Sequence, residues 1–339
     1  MRPTQVKALL ACTIKAMMPV LIVGKPGVGK SDVVAQAAID AGADLLVSHP
    51  AVADPTDAKG LPWAEAGAKE ATFLPFGDLA LAMHATKPLV WFLDDLGQAS
   101  PAVQASYMQL LLARRVNGHK LPDAVSFVAA TNRREDRAGV SGILEPVKSR
   151  FATIIEMDAD PDDWTLWAAS NGIRPELIAF MRMRPELLCD FQPTGDMKNS
   201  PCPRTWSHAS KILNLNLSDA LESLALAGAV GEGAAAELCG FIRMFRNLPV
   251  SPDQILLDPT GAEVPREPSH LYAISSALAF KGNAENFGRL LTYAKRMPQE
   301  FGVLTIRDAV RRNKKVTAHP DFAKFAASKL GRLVSGQED

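Results

Sequence analysis

Cysteine is scarce in this sequence. Cys12, Cys189, Cys202 and Cys239 are the only four in 339 residues. No two form a CxxC pair and no histidine stands near them at ligand spacing. That argues against a disulfide framework or a zinc site and fits reduced thiols in the cytoplasm. A charge surplus is missing as well: Lys+Arg and Asp+Glu both number 37. A non-specific nucleic-acid coat would need a basic excess, although a local basic patch stays open. No uninterrupted apolar run reaches the ~20 residues of a membrane span. The N-terminal stretch MRPTQVKALLACTIKAMMPVLIV is apolar in places, but Lys7 and Lys15 interrupt it. It reads as a helix and then a strand, not a signal peptide. Internal repeats and low-complexity segments are absent too. What is present is 47% hydrophobic and 22% charged residues, the composition of a globular protein. The length calls for two or three domains.

The strongest local signal is LIVGKPGVGKSDVV, residues 21–34. Gly24, Lys25, Pro26, Gly27, Val28, Gly29, Lys30 and Ser31 satisfy G-x-x-x-x-G-K-[ST]. The apolar run 20–23 suits a buried strand. Residues 31–41 suit a helix with Val33, Val34, Ala37 and Ala38 on one side. Glycines let the backbone curl with its N–H groups inward. Those groups and the start of the helix, through Asp32, make a nest for anionic oxygens. Lys30 would reach the β- and γ-phosphates of a nucleotide, and the Ser31 hydroxyl would take one Mg²⁺ position.

The next signal is Leu89-Val90-Trp91-Phe92-Leu93-Asp94-Asp95. A buried strand ends there in two carboxylates, where ligands sit in an open α/β sheet. Asp94 is the candidate for Mg²⁺, directly or through water. Asp95 is the candidate to polarise a water for attack on the γ-phosphate. A further apolar strand, 125–130, ends in Thr131-Asn132-Arg133, and Asn132 there can orient the attacking water. Arg150 precedes a last strand near 152–156 and, in a ring, would point into a neighbour's nucleotide.

In this order the pieces resemble an AAA+ ATPase, and within that superfamily the MoxR-type branch, over about residues 1–215. Walker A is GKPGVGKS, Walker B is LVWFLDD, sensor 1 is the Asn of AATNR and the arginine finger is the Arg of KSRF. The segment DPTDAKG, residues 54–60, resembles the D-x-x-G segment of MoxR-type proteins. RRVNGHKLPDAVSF, residues 114–127, resembles their hairpin before sensor 1, with Asn117-Gly118 as its turn. Cys202-Pro203-Arg204-Thr205-Trp206 resembles a sensor 2 segment. The resemblance implies a parallel sheet of order 5-1-4-3-2, ATP and Mg²⁺ as ligands, and Arg204 on the γ-phosphate of its own subunit. It also implies self-association into a ring, taken as a hexamer, and chaperone-like work on a partner protein, often one with a von Willebrand factor A domain. Asp95 departs from the family's usual glutamate. Its carboxylate is one methylene shorter, so modest turnover is expected.

These readings give an α/β nucleotide-binding domain over 1–157, a helical lid over 158–247, and a proline-rich connector and helical region over 248–339. Strands are expected near 20–23, 45–49, 89–93, 125–130 and 152–156. Residues 248–268 read as extended, and Arg307, Arg311, Arg312, Lys314 and Lys315 as a solvated basic face. Cys12 and Cys202 read as buried small hydrophobes, and His49 and His119 as structural. Trp63, Phe73 and Phe76 either grip a polypeptide or fill a local core. The competing readings are a DNA-linked motor or loader, an adaptor or switch with weak hydrolysis, and a small-molecule phosphotransferase using Arg133, Arg134 and Arg137.

Overall fold

The computed structural model describes residues 1–328, apart from 68, 137, 138, 140, 141 and 195, together with residue 331. Contacts divide the chain into two units. One is Met1–Ala159 with Phe191–Gly195, and the other is Asp160–Asp190 with Asp196–Asp339. Among the described residues no helix is long and apolar enough to cross a membrane.

The first unit is built on a five-stranded sheet. Its strands are β1 (Val20–Val23), β2 (Asp44–Ser48), β5 (Leu89–Leu93), β8 (Val125–Thr131) and β9 (Thr153–Glu156). All pair in parallel, in the order β2-β5-β8-β1-β9. Counted among these five strands, that is the expected order 5-1-4-3-2, and each boundary falls within a residue of the expected one. A central parallel strand is covered on both faces, so it needs a near-continuous apolar run. β8 is buried along its whole length, and so is β5 from Val90 to Leu93. Trp91 anchors the core, stacked on Phe127 with ring centroids 5.4 Å apart and edge-on to Tyr107 at 6.1 Å.

Two antiparallel hairpins stand outside this sheet: β3 (Leu61–Trp63) with β4 (Thr72–Leu74), and β6 (Arg115–Val116) with β7 (His119–Lys120). Asn117 and Gly118 turn the second with φ of 46° and 85°, the two left-handed residues a tight hairpin requires. The hairpin is tied down by Asn117 Nδ2 donating to the Lys59 carbonyl at 2.8 Å. The His119 ring Nε2 likewise donates to the Phe73 carbonyl at 2.8 Å, which gives His119 its structural role. In the 54–60 segment, Asp54 caps the helix Pro55–Lys59 by accepting from Thr56 N–H at 2.9 Å. Gly60 ends that helix at φ 85°, where a Cβ would stand 2.7 Å from the Leu74 carbonyl oxygen. Leu61, Trp63, Phe73 and Leu74 are exposed, so the first hairpin is not a local core.

The second unit is helical. Its longer helices include Pro161–Ser170, Pro175–Met183, Pro203–Leu213, Asp219–Val230, Glu232–Arg246, Pro268–Lys281 and Gln299–Arg312. Three sequence expectations change here or nearby. Residues 248–268 are not simply extended: Ser251 caps a helix Pro252–Leu257 through Gln254 N–H, and Ile255 is buried. Prolines at the first position of a helix start it rather than break it. Cys12 is exposed, whereas Cys202 is buried as expected. The basic helix face is not wholly solvated, because Arg307 Nε is buried.

Candidate nucleotide site

The glycine loop runs from the end of β1 into the helix Lys30–Ala41. Each glycine answers a steric demand. A Cβ on Gly24 would stand 2.5 Å from the Met157 carbonyl oxygen. Gly27 and Gly29 have φ of 74° and 98°, which side-chain-bearing residues rarely adopt. Gly29 caps the helix with no side chain, and nothing lies within 4 Å of where its Cβ would point. The loop therefore opens into free space at a helix N-terminus, a cradle suited to phosphate oxygens. Asp32 is exposed in the first helical turn, where a carboxylate complements the helix dipole.

Lys30 is 7% exposed. Its ammonium donates to the carbonyls of Gly24 at 3.0 Å and Lys25 at 3.1 Å, and to Asn132 Oδ1 at 2.8 Å. Asn132 is buried at the end of β8 and its Nδ2 donates to Asp95 Oδ1 at 3.3 Å. This bridge follows from topology. β8 lies between β1 and β5, so the residue ending β8 stands between the loop after β1 and the carboxylates after β5. Ser31 Oγ donates to Asp94 Oδ2 at 2.8 Å, and Asp94 Oδ1 accepts from Asp95 N–H at 3.1 Å. Asp95 has φ 55° and ψ 36°. A non-glycine residue there stores about 1–3 kcal/mol of strain, the kind that clusters at functional sites.

Ser31 and Asp94 are the residues that would hold Mg²⁺, with phosphate oxygens and water completing its shell. The 2.8 Å Ser31–Asp94 contact puts both oxygens within reach of one hard cation. Among the described residues no cluster of three or more His, Cys, Asp or Glu offers an all-protein metal site.

Sequence reasoning missed Ser48, at the end of β2. Its carbonyl accepts from Asp94 N–H at 2.9 Å. Its Oγ accepts from Trp91 Nε1 at 2.7 Å and donates to Asp78 Oδ2 at 2.5 Å. A serine at a strand end carries no local signal. Only the β2–β5 pairing of Ser48 with Leu93 brings it beside Asp94.

Arg150 makes none of this cluster's hydrogen bonds. Arg150 Nε donates to the Met108 carbonyl at 2.9 Å and its Nη1 to the Pro146 carbonyl. Within its own chain it is thus folded onto backbone. Arg204 belongs to the second unit, exposed in the first turn of Pro203–Leu213. Arg133 is clamped by both oxygens of Asp136 at 3.1 Å and by Glu156 at 3.0 Å. The Asp136 bonds hold its guanidinium pKa above the ordinary arginine value. Arg137 lies outside the described residues.

No family model and no curated protein matches the chain. Solved structures that resemble it include a Thermotoga maritima RuvB variant, at 15% identity over 81% of this chain and 80% of that one, with a TM-score of 0.43. The Thermotoga maritima RuvB Holliday junction branch migration motor matches at 14% identity over 82% and 87%, TM-score 0.40. NtrX from Brucella abortus matches at 12% identity over 99% of this chain and 68% of its own, TM-score 0.42. These are distant likenesses. With its strand order 5-1-4-3-2, a glycine loop after the first strand and two carboxylates after the third, the chain has a parallel-sheet α/β P-loop fold.

Proposed function

We propose that this protein is a ring-forming AAA+ ATPase of MoxR type that hydrolyses ATP to remodel a partner protein. The observation that carries the reading is the single hydrogen-bonded set Lys30–Asn132–Asp95 beside Ser31–Asp94. It brings together a phosphate-binding cation, a water-orienting amide, a candidate base and a metal-binding pair. Backbone N–H groups of residues 24–31 would cradle the phosphates. Lys30 would exchange its Asn132 contact for γ-phosphate oxygen, which frees the amide to orient water. Asp95 would accept the proton as water attacks, with ADP as leaving group. Bound Mg²⁺ would neutralise charge on the β- and γ-oxygens. Arg150 of a neighbouring copy would leave its carbonyl partners and meet the charge developing in the transition state. Arg204 would act from the chain's own second unit.

Exposed Trp63 and Phe73 on the first hairpin support a polypeptide as the thing acted on. A von Willebrand factor A-domain protein is the partner the MoxR resemblance suggests. A switch with weak hydrolysis is the second reading, favoured by the short, left-handed Asp95. The clamped Arg133 speaks against a phosphotransferase that needs that residue free. The test is ATP turnover with and without Mg²⁺ for the parent and Asp95→Asn. Equal rates would remove Asp95 as the base, and no nucleotide binding by the parent would remove the reading.

A further inference from the structure

The chain's formal charge of zero conceals a separation. Residues 268–326 hold ten Lys and Arg against four Asp and Glu, so the rest of the sequence carries a net charge of −6. This stretch runs from the helix Pro268–Lys281 to the helix Pro320–Ala326. Its elements share one apolar core, which includes Ile274, Leu278, Phe287, Ile306 and Phe325. The surplus charge is therefore carried on a packed body, not on a loose tail.

That surplus gathers where two helices end. Arg311 and Arg312 close Gln299–Arg312, and Lys314 and Lys315 open the short 3-10 turn Lys314–Ala318. All four are exposed, and among the described residues none forms an ion pair with a carboxylate. Neighbouring cations are already met: Lys281 by Asp253, and the half-buried Arg307 by Asp308 and Asp162. Asn313 Nδ2 donates to the Gly282 carbonyl at 3.5 Å, which sets the turn beside the end of Pro268–Lys281. Cations at a helix C-terminus complement its dipole, but that end carries only about half a negative charge. Four cations exceed what it needs.

An aromatic ring lies within the patch. The Arg312 guanidinium rests over Phe280, its central carbon 3.4 Å from the ring centroid, and Phe280 is still 43% exposed. Unpaired cations beside an exposed aromatic surface are what a single strand of nucleic acid requires. The cations follow the phosphates, and an unstacked base finds a flat partner. An acidic peptide would use the charges but has no base to stack. A duplex keeps its bases stacked on one another. We propose that this basic end of the second unit binds single-stranded nucleic acid, with Arg311, Arg312, Lys314 and Lys315 along its phosphates and a base stacked against Phe280. The site does not depend on the nucleotide reading.

The test is fluorescence anisotropy of the full chain with a labelled single strand of about 20 nucleotides. Its 5′ end is a free hydroxyl, so that no terminal phosphate competes for the glycine loop. The single strand should bind, and displacing it should take about tenfold more of the same sequence as duplex, or of polyglutamate of matched charge. Four neutralised phosphates give a log–log salt slope near −3, so raising salt from about 50 to 200 mM should weaken binding roughly 50-fold. Lys314→Gln with Lys315→Gln should halve that slope. Lys198→Gln with Lys211→Gln, at exposed lysines elsewhere in the same unit, should leave it unchanged. Phe280→Leu should weaken the single strand at least about 5-fold without changing the slope. Melting temperatures matching the parent's show that these surface variants fold. No binding, duplex or polyglutamate competing equally well, or binding unaltered in the patch variants would overturn the proposal.

Discussion

Asp95 combines two departures from the ordinary: a carboxylate shorter than the glutamate that the MoxR resemblance leads one to expect, and a left-handed backbone, its side chain held in part by Asn132. In the proposed role of general base it would account for roughly 10²–10⁴ in rate. Asp95→Asn should therefore lower turnover by at least about 10²-fold and leave ATP affinity nearly unchanged, read by steady-state assay and calorimetry. Asp95→Glu should raise turnover above the parent, since the longer side chain brings the carboxylate nearer the water. Asn132→Ala removes the bridge to both Lys30 and Asp95. It should lower kcat more than it weakens ATP binding, and a loss confined to binding would place Asn132 outside the chemistry. Lys30, Ser31 and Asp94 were legible in the sequence because the glycine pattern and the strand-end carboxylates are local. The Asn132 bridge was legible in position but not in its partners, which lie 102 and 37 residues away.

At the scale of elements, the sheet was readable because buried parallel strands are continuous apolar runs. The glycine loop was readable because its φ values tolerate little else. The rest escaped because its cause is contact between distant segments. Ser48 is the clearest case. It matters through Trp91, Asp78 and the Asp94 backbone, none of them near it in sequence. Ser48→Ala leaves the buried Trp91 Nε1 without its acceptor, and should cost about 1–3 kcal/mol in denaturant unfolding. Ser48→Thr, which keeps the hydroxyl, should recover most of that loss, and failure to recover would assign the effect to strand packing instead. Residues 252–257 were misread for a related reason: a run of prolines suggests extension, yet one of them stands at the first position of a capped helix.

At the scale of the whole molecule, Arg150 makes a prediction that no single chain can satisfy. Held on the Met108 and Pro146 carbonyls of its own chain, it would, under the proposed ring reading, reach a nucleotide only from a neighbouring copy. Light scattering should show growth from small species toward a ring when ATP and Mg²⁺ are added to the parent. Mass unchanged by nucleotide at any concentration would favour a lone switch. The most direct test of a shared site mixes two inactive variants. Arg150→Ala keeps its own Asp95, and Asp95→Asn keeps its own Arg150. Each should bind ATP and hydrolyse it poorly alone. Mixed, they should form interfaces that pair an intact Asp95 with a neighbour's intact Arg150, and the ATPase rate should exceed the sum of the two. A rate no greater than that sum, from variants shown to co-assemble, would contradict an ATPase whose site is completed by its neighbour.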